Sequence, residues 1–408
     1  MKTVAIIGTF DTKAKEFSYV KDEIERLGFN TLMIHTGVYD SLISVDITNQ
    51  QVLDEVDVDI TELIRKSDRA YATDMLAKGM QSLLLKLFEA QKFDGVISLG
   101  GSSGTAIATA GMKELPIGIP KVMVSTMTSG DISQYVGTSD IFMMPSIVDI
   151  AGLNKISKQI FMNAINALGG MLSDYELDFN EDKPLIAASM FGVTTPVVTQ
   201  ATEILEQHGY EVVIFHATGT GGKAMEDLIR SGYFEGVLDL TTTEWADQLC
   251  GGVLSAGESR LDAAIENNIP QVVSLGALDM VNFGPKETVP EQYKNRLLYQ
   301  HNPSVTLMRT TVEENIKIGH KIAEKLNKAD TNTALVIPVK GISAIDKDGE
   351  IFYDEKATQA LINTIKENLN SNITIHELDY HINDKTFSNE VSRILINAIE
   401  KWEGDTYE

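Results

Sequence analysis

The chain has 408 residues, 43% of them hydrophobic and 23% charged, and a formal net charge of −24 at pH 7. That length calls for two or more globular domains, and the acidic balance disfavours nucleic acid and anionic membrane surfaces as partners while leaving a small anionic ligand open. The apolar runs fall short of a membrane span, no leader sequence is evident, and a lone cysteine, Cys250, rules out an internal disulfide framework, so a cytoplasmic protein with no membrane role is expected.

Taken in order, residues 4–7 form an apolar strand broken by Gly8-Thr9-Phe10-Asp11-Thr12-Lys13, after which Phe17, Val20, Ile24 and Leu27 follow at helical spacing. Gly28 ends that helix and Asn30–His35 reads as the next strand. Residues 46–62 are acidic and read as loop-rich. Met75, Leu76, Met80, Leu83, Leu84 and Leu87 mark a helix leading to a strand at 96–99. There the apolar run meets Gly100-Gly101-Ser102-Ser103-Gly104-Thr105 and small residues that can start a helix. Lys121–Ser125 is a buried-type strand, residues 141–144 another, and 154–172 a helix. Strand, loop and helix in alternation make an open, mostly parallel sheet covered on both faces. The polar stretch 174–183 sets a boundary between domains 1–182 and 183–408.

Beyond it the pattern restarts. Leu185–Met190 is a strand, 191–196 a loop, 197–208 a helix closed by Gly209, and Glu211–His216 a strand. In both halves a histidine (His35, His216) stands seven residues after the glycine (Gly28, Gly209). The whole unit recurs in order, which marks two related Rossmann-like domains. Further strands fall at 236–240, 271–275, 334–338 and Thr374–Leu378, with helices at Val312–Leu326, 355–369 and 389–402.

Three loops of the first domain, 8–13, 100–105 and 125–130, follow apolar strands and are rich in Gly, Ser and Thr. Such junctions present backbone N–H groups to an anion, and glycine lets the main chain approach it. Gly8, Thr9, Thr12, Gly100, Gly101, Ser102, Ser103, Gly104, Thr105, Thr126 and Ser129 are therefore candidates for binding phosphates of a cofactor. Lys13 can neutralise a phosphate. Asp11 can support Mg²⁺ through water, orient Lys13, or cap the helix.

In the second domain Thr218-Gly219-Thr220-Gly221-Gly222-Lys223 approaches a P-loop and fails twice: Ala217 replaces the first glycine and Ala224 the magnesium-binding hydroxyl. Neither first strand leads into G-x-G-x-x-G, so an NAD enzyme is not expected. Thr218, Gly219, Gly221, Gly222, Asp279 and Asn282 are candidates for a co-substrate. Glu244 is a general-base candidate, with helix capping as its plainer role. Gly100–Gly104 also fits G-x-S-x-G, which makes Ser102 a candidate nucleophile with a later Asp and His such as Asp279 and His301. The histidines lack metal-ligand spacing, and no protein metal cluster is inferred.

Longer blocks are more specific than these loops. They include I-G-T-F-D-T-K (7–13), L-G-G-S-S-G-T (99–105), P-I-G-I-P-K-V-M-V-S-T (116–126) and G-T-S-D-I-F-M-M-P-S-I-V-D-I-A-G-L-N (137–154). Others are M-F-G-V-T-T-P (190–196), F-H-A-T-G-T-G-G-K-A-M-E-D (215–227), L-G-A-L-D-M-V-N-F-G-P-K (275–286) and L-M-R-T-T (307–311). Through them essentially the whole chain resembles the uncharacterised protein family whose plant members carry the ATP-binding domain of the tomato mosaic virus resistance protein. The resemblance implies a two-domain, Rossmann-like protein that binds ATP and forms dimers. Plant relatives continue into a phosphoenolpyruvate-hydrolase-like barrel, which would here be a separate partner.

The expectation is an α/β protein of two Rossmann-like domains with mostly parallel sheets and an interdomain cleft. It is a cytoplasmic homodimer using ATP and Mg²⁺ for phosphoryl or nucleotidyl transfer to a small anionic co-substrate. Asp11, Lys13 and Glu244 are its catalytic candidates. An ATP-responsive regulatory module and a Ser102 hydrolase stay open as alternatives.

Overall fold

The computed structural model describes residues 1–173, 183–330 and 332–406, so the expected boundary stretch 174–183 lies, but for Lys183, outside the described residues. The chain divides into two compact units, Met1–Asp178 and Phe179–Glu408.

In the first unit the strands β1 (Thr3–Gly8), β2 (Asn30–His35), β3 (Gly95–Gly100), β4 (Lys121–Ser125) and β5 (Phe142–Pro145) pair in the order β2-β1-β3-β4-β5, all parallel. Successive strand residues face opposite sides, so each continuous apolar run feeds two cores. Val4, Ile6, Ile97, Leu99, Val122 and Val124 pack on Phe17, Val20 and Ile24 of the helix Ala14–Arg26 and on Phe161 and Ile165 of the helix Lys155–Leu172. Ala5, Ile7, Val96 and Met123 pack on Leu76, Met80 and Leu84 of the helix Arg69–Glu89 and on Ile107 and Met112 of the helix Ser102–Glu114. The stretch 46–62, expected as loop, holds the helix Asn49–Asp54 and the start of the helix Ile60–Lys66. Thr48 and Gln51 form a capping box on one, and Asp59 accepts the Thr61 N–H on the other. Cap chemistry, rather than an apolar period, defines them.

The second unit contains β6 (Leu185–Met190), β7 (Glu211–His216), β8 (Gly236–Thr241), β9 (Gln271–Gly276), β10 (Met280–Phe283), β11 (Leu298–Asn302), β12 (Val305–Arg309), β13 (Thr333–Pro338) and β14 (Thr374–Leu378). Six of these form a parallel sheet, β7-β6-β8-β9-β13-β14, which repeats the order of the first unit and adds a strand. The repeat extends to detail. Gly28 and Gly209, at φ +90° and +92°, each lead to the second strand of their sheet, in a conformation that costs glycine nothing. His35 and His216 end those strands, and their rings pack on Phe10 and Phe191, which follow the first strands. A small antiparallel sheet, β10-β12-β11, was not expected from the sequence. β11 reads Leu-Tyr-Gln-His-Asn and is exposed over its second half, so it has no apolar alternation to announce it.

Candidate functional site

In the order β2-β1-β3-β4-β5 the chain leaves β1 towards one face of the sheet and β3 towards the other. The loops diverge there and open a crevice beyond the strand ends. That crevice is a cavity of about 570 Å³. Thr9, Asp11, Thr12 and Lys13 border it after β1, Gly37–Tyr39 after β2, and Gly100, Gly101, Ser103 and Gly104 after β3. Leu63, Ala72, Leu76 and Ile107 give it an apolar wall.

The glycines of the β3 loop have separate tasks. A Cβ on Gly100 would lie 2.9 Å from the Gly104 backbone, so bare main chain is needed for the strand to meet its helix closely. A Cβ on Gly104 would meet nothing nearer than the Leu99 carbonyl at 3.8 Å. Gly101 is the N-cap residue and has no side chain, so the N–H groups of the first turn receive no side-chain cap. Beside that turn, Arg69 Nε donates to Ser103 Oγ at 3.1 Å. Arg69 is the first residue of its own helix, capped by Asp68, which accepts from Ala70 and Tyr71 N–H at 2.9 and 3.1 Å. Sequence reasoning missed Arg69. Its only local signal is a helix start, 34 residues before the loop it serves.

Asp11 accepts the Tyr39 N–H on Oδ2 at 3.2 Å, while its Oδ1 is buried without a hydrogen-bond partner. A Cβ on Gly37 would collide with this carboxylate. His35 Nδ1 accepts from Phe10 N–H at 3.1 Å and Gly37 N–H at 3.4 Å, and Nε2 donates to the Tyr39 carbonyl at 2.8 Å. Two amides on Nδ1 fix that tautomer, and the ring shapes the 36–39 turn. The Lys13 ammonium donates to the Ile150 carbonyl.

The remaining first-unit candidates lie apart from this cavity. Gly8 is buried against the Phe17 ring. Thr105 is buried, with Oγ1 2.7 Å from Ser125 Oγ. Ser102 is exposed on the outer side of the helix start. Thr126 and Ser129 line a second cavity, between the ends of β4 and β5, which shares Asp149 with the first.

In the second unit the glycine loop is already filled. Gly219 and Gly222 N–H donate to Glu244 Oε1 at 2.7 and 3.2 Å, and Gly222 has no room for a Cβ beside that carboxylate. Gly221 is equally tight against the His216 carbonyl, and Thr218 donates to the same carbonyl at 3.2 Å. Arg260 Nε donates to Glu244 Oε2 at 2.7 Å, and the guanidinium also meets Asp239 and Glu226. Burial pushes the Glu244 carboxyl up, against the pull of Arg260. The loop expected to receive a co-substrate thus holds the chain's own carboxylate, and Glu244, buried and paired on both oxygens, is placed as a clamp rather than a base.

Asp279 and Asn282 are buried as well. Asp279 Oδ2 accepts from Ser343 Oγ at 2.8 Å, and burial with Asp346 nearby pushes its carboxyl up. Asn282 Nδ2 donates to Asp247 Oδ2 at 2.8 Å, and burial drives the Asp247 carboxyl up to about 7. Of the two residues named as possible partners for Ser102, Asp279 is buried and accepts from Ser343, and His301 is exposed against the Tyr299 ring. Ser102 starts a regular helix without the strained backbone of a nucleophile elbow. Among the described residues no group of acidic, His or Cys side chains is arranged to hold a metal alone, and no helix is long and apolar enough to cross a membrane.

Residues 2–177 match the model of an uncharacterised protein family (UPF0261) N-terminal domain, and residues 183–399 match that of its C-terminal domain. A UPF0261 protein of Clostridium tetani is 52% identical over 402 residues, covering 98% of this chain and 100% of its own. The ToMV resistance protein Tm-1(GCR237) of Solanum lycopersicum is 41% identical over 413 residues, covering 95% of this chain and 54% of its own. The chain therefore spans about half the length of that relative. Among solved structures, a UDP-N-acetylglucosamine 2-epimerase from Rickettsia bellii aligns over 98% of this chain and 96% of its own. Its 13% identity and TM-score of 0.23 are too slight to bear on function.

Proposed function

The chain belongs to the uncharacterised protein family UPF0261, and on that premise we propose that its first unit binds ATP with Mg²⁺ in the cavity between β1 and β3, for phosphoryl or nucleotidyl transfer to a small co-substrate. The observation that carries this reading is the uncapped helix start at Gly101–Gly104, open to the cavity and flanked by Arg69. A phosphate there gains the free N–H groups, the positive end of the helix dipole and a charge-assisted bond from the guanidinium. The apolar wall of Leu63, Ala72, Leu76 and Ile107 suits the face of a base. Asp11 borders this cavity, and a carboxylate there suits a hydrated Mg²⁺, which binds through one or two carboxylates and phosphate oxygens. The family resemblance read from the sequence blocks implies ATP, and on that ground ATP is preferred here over other nucleotides.

Phosphoryl transfer asks a protein mainly for positioning and charge neutralisation, and on this reading Arg69 and the loop amides supply both. Lys13, bonded to the Ile150 carbonyl, orders the β1 loop instead. A cytoplasmic site of action belongs to the same reading and is supported by the single, buried Cys250.

Isothermal titration with MgATP tests it on the wild type, Gly104→Arg and Arg69→Ala. Gly104 has ordinary backbone angles and room for a Cβ, so the arginine reaches the cavity without disturbing the fold. Wild type is expected to bind, Gly104→Arg to lose binding, and Arg69→Ala to weaken it roughly tenfold or more, the worth of a hydrogen bond to a charged group. Equal binding by all three would remove the loop from the site.

A further inference from the structure

The second cavity of the first unit, about 550 Å³ between the ends of β4 and β5, has a chemistry of its own. Its accessible polar lining is given by Thr126, Thr128, Ser129 and the carboxylate of Asp149, with Ser125 and Ser146 buried at its base. We propose that it is a binding site for a neutral polyhydroxylated molecule, a sugar or polyol, which serves as the co-substrate. Its role as co-substrate rests on the nucleotide reading above; its capacity to bind does not.

The lining contains no lysine, arginine or histidine, so an anion finds no countercharge there. A polyol meets what it needs, hydroxyl groups that donate and accept and a carboxylate that accepts. Thr128 Oγ1 donates to the Ser125 carbonyl at 3.1 Å, and Ser146 Oγ donates to the Val148 carbonyl at 2.7 Å. Their protons are thereby engaged, so towards a ligand hydroxyl these oxygens act only as acceptors.

Two further observations single out this cavity. Asp149 borders both cavities, and a Cβ on Gly101 of the phosphate loop would lie 3.8 Å from Thr126 Oγ1. A molecule held here is therefore next to the place given to the phosphates. The rim also carries backbone strain. Val148 N–H donates to the Ser146 carbonyl at 2.6 Å, closing a three-residue turn around Ile147 at φ +61°. Positive φ in such a turn is rare, and rarer for a β-branched residue, and strain of this kind gathers at ligand sites. The turn holds Ile147 78% exposed on the rim, an apolar surface for the C–H face of a sugar ring.

The test is saturation-transfer NMR on the full chain with D-ribose, glycerol and myo-inositol as neutral probes and malonate as an anionic one, with and without Mg²⁺ and a non-hydrolysable ATP analogue. At least one neutral probe is expected to bind and malonate not to bind. Thr126→Val, Ser129→Ala and the exposed Asp149→Asn are each expected to weaken the neutral probe about fivefold, one net hydrogen bond. Absence of transfer to all three neutral probes, binding indifferent to all three substitutions, or preference for malonate would overturn the proposal. Sugar binding without nucleotide binding would keep this site and remove the nucleotide reading; nucleotide binding without sugar binding would do the reverse.

Discussion

Arg260 is almost wholly buried and meets three carboxylates, those of Asp239, Glu244 and Glu226. Burial opposes its charge, but Asp239, Glu244 and Glu226 outweigh it, so Glu244 is held where Gly219 and Gly222 present their amides. Opposite outcomes follow for alanine in the two loops. At Gly222 the new Cβ meets a carboxylate that cannot yield, and Gly222→Ala is expected to cost about 1–3 kcal/mol. At Gly104 it meets only the Leu99 carbonyl at ordinary contact distance, on a helix, and Gly104→Ala is expected to stabilise by about 0.5–1 kcal/mol. Urea unfolding of both variants decides the matter; equal shifts would show that neither loop is packed as described. The sequence displays both loops as clusters of glycine and hydroxyl residues. It does not display that Glu244, more than 20 residues on, fills one, or that Arg69 stands beside the other. Those facts come from the sheet order, which brings distant strand ends together.

At the scale of elements, the inner parallel strands such as β1, β3 and β4 were legible because they are buried on both faces and read as apolar runs. Glycines at Gly28 and Gly209 marked where helices yield to strands. What escaped were elements held by other means. The helix Asn49–Asp54 has only Val52 and Leu53 buried, too little for a period, and depends on its Thr48–Gln51 capping box. Thr48→Ala is accordingly expected to lower stability by about 1 kcal/mol, measurable by urea titration. No change would assign that helix to packing alone. β11 likewise owes its conformation to pairing with β12 rather than to its own composition.

For the whole molecule, burial of acidic groups in the second unit sets a pH dependence. Asp247 titrates at about 7 in the folded chain against 3.8 as a free side chain, and burial pushes Glu226, Glu244, Asp279 and Asp346 up too. Between those two values the folded chain keeps a proton that the unfolded chain has released. Stability therefore falls as pH rises through that window, by up to about 1.4 kcal/mol per pH unit for Asp247, and the other raised carboxyls act in the same direction. Glu314 acts oppositely. Burial would raise it, but hydrogen bonds from Arg296 and Thr311 hold it down, and its contribution is lost only as pH falls through its lowered value. The urea midpoint is expected to be higher at pH 5.5 than at pH 8, and Asp247→Asn, which imitates the neutral acid, to narrow the gap. A gap of unchanged size in that variant would acquit Asp247.

The carboxylate in the second glycine loop bears on how a doubled architecture divides its labour. The two sheets share strand order, glycine punctuation and a histidine–phenylalanine contact, yet the loop after β2, at Gly37–Tyr39, borders an open cavity whereas its counterpart after β7 is closed by a carboxylate of the same chain. A counter-ion built into the sequence cannot dissociate or be competed away by phosphate in the medium. The second loop is then a permanent piece of scaffold, and a doubled fold does not entail a doubled site.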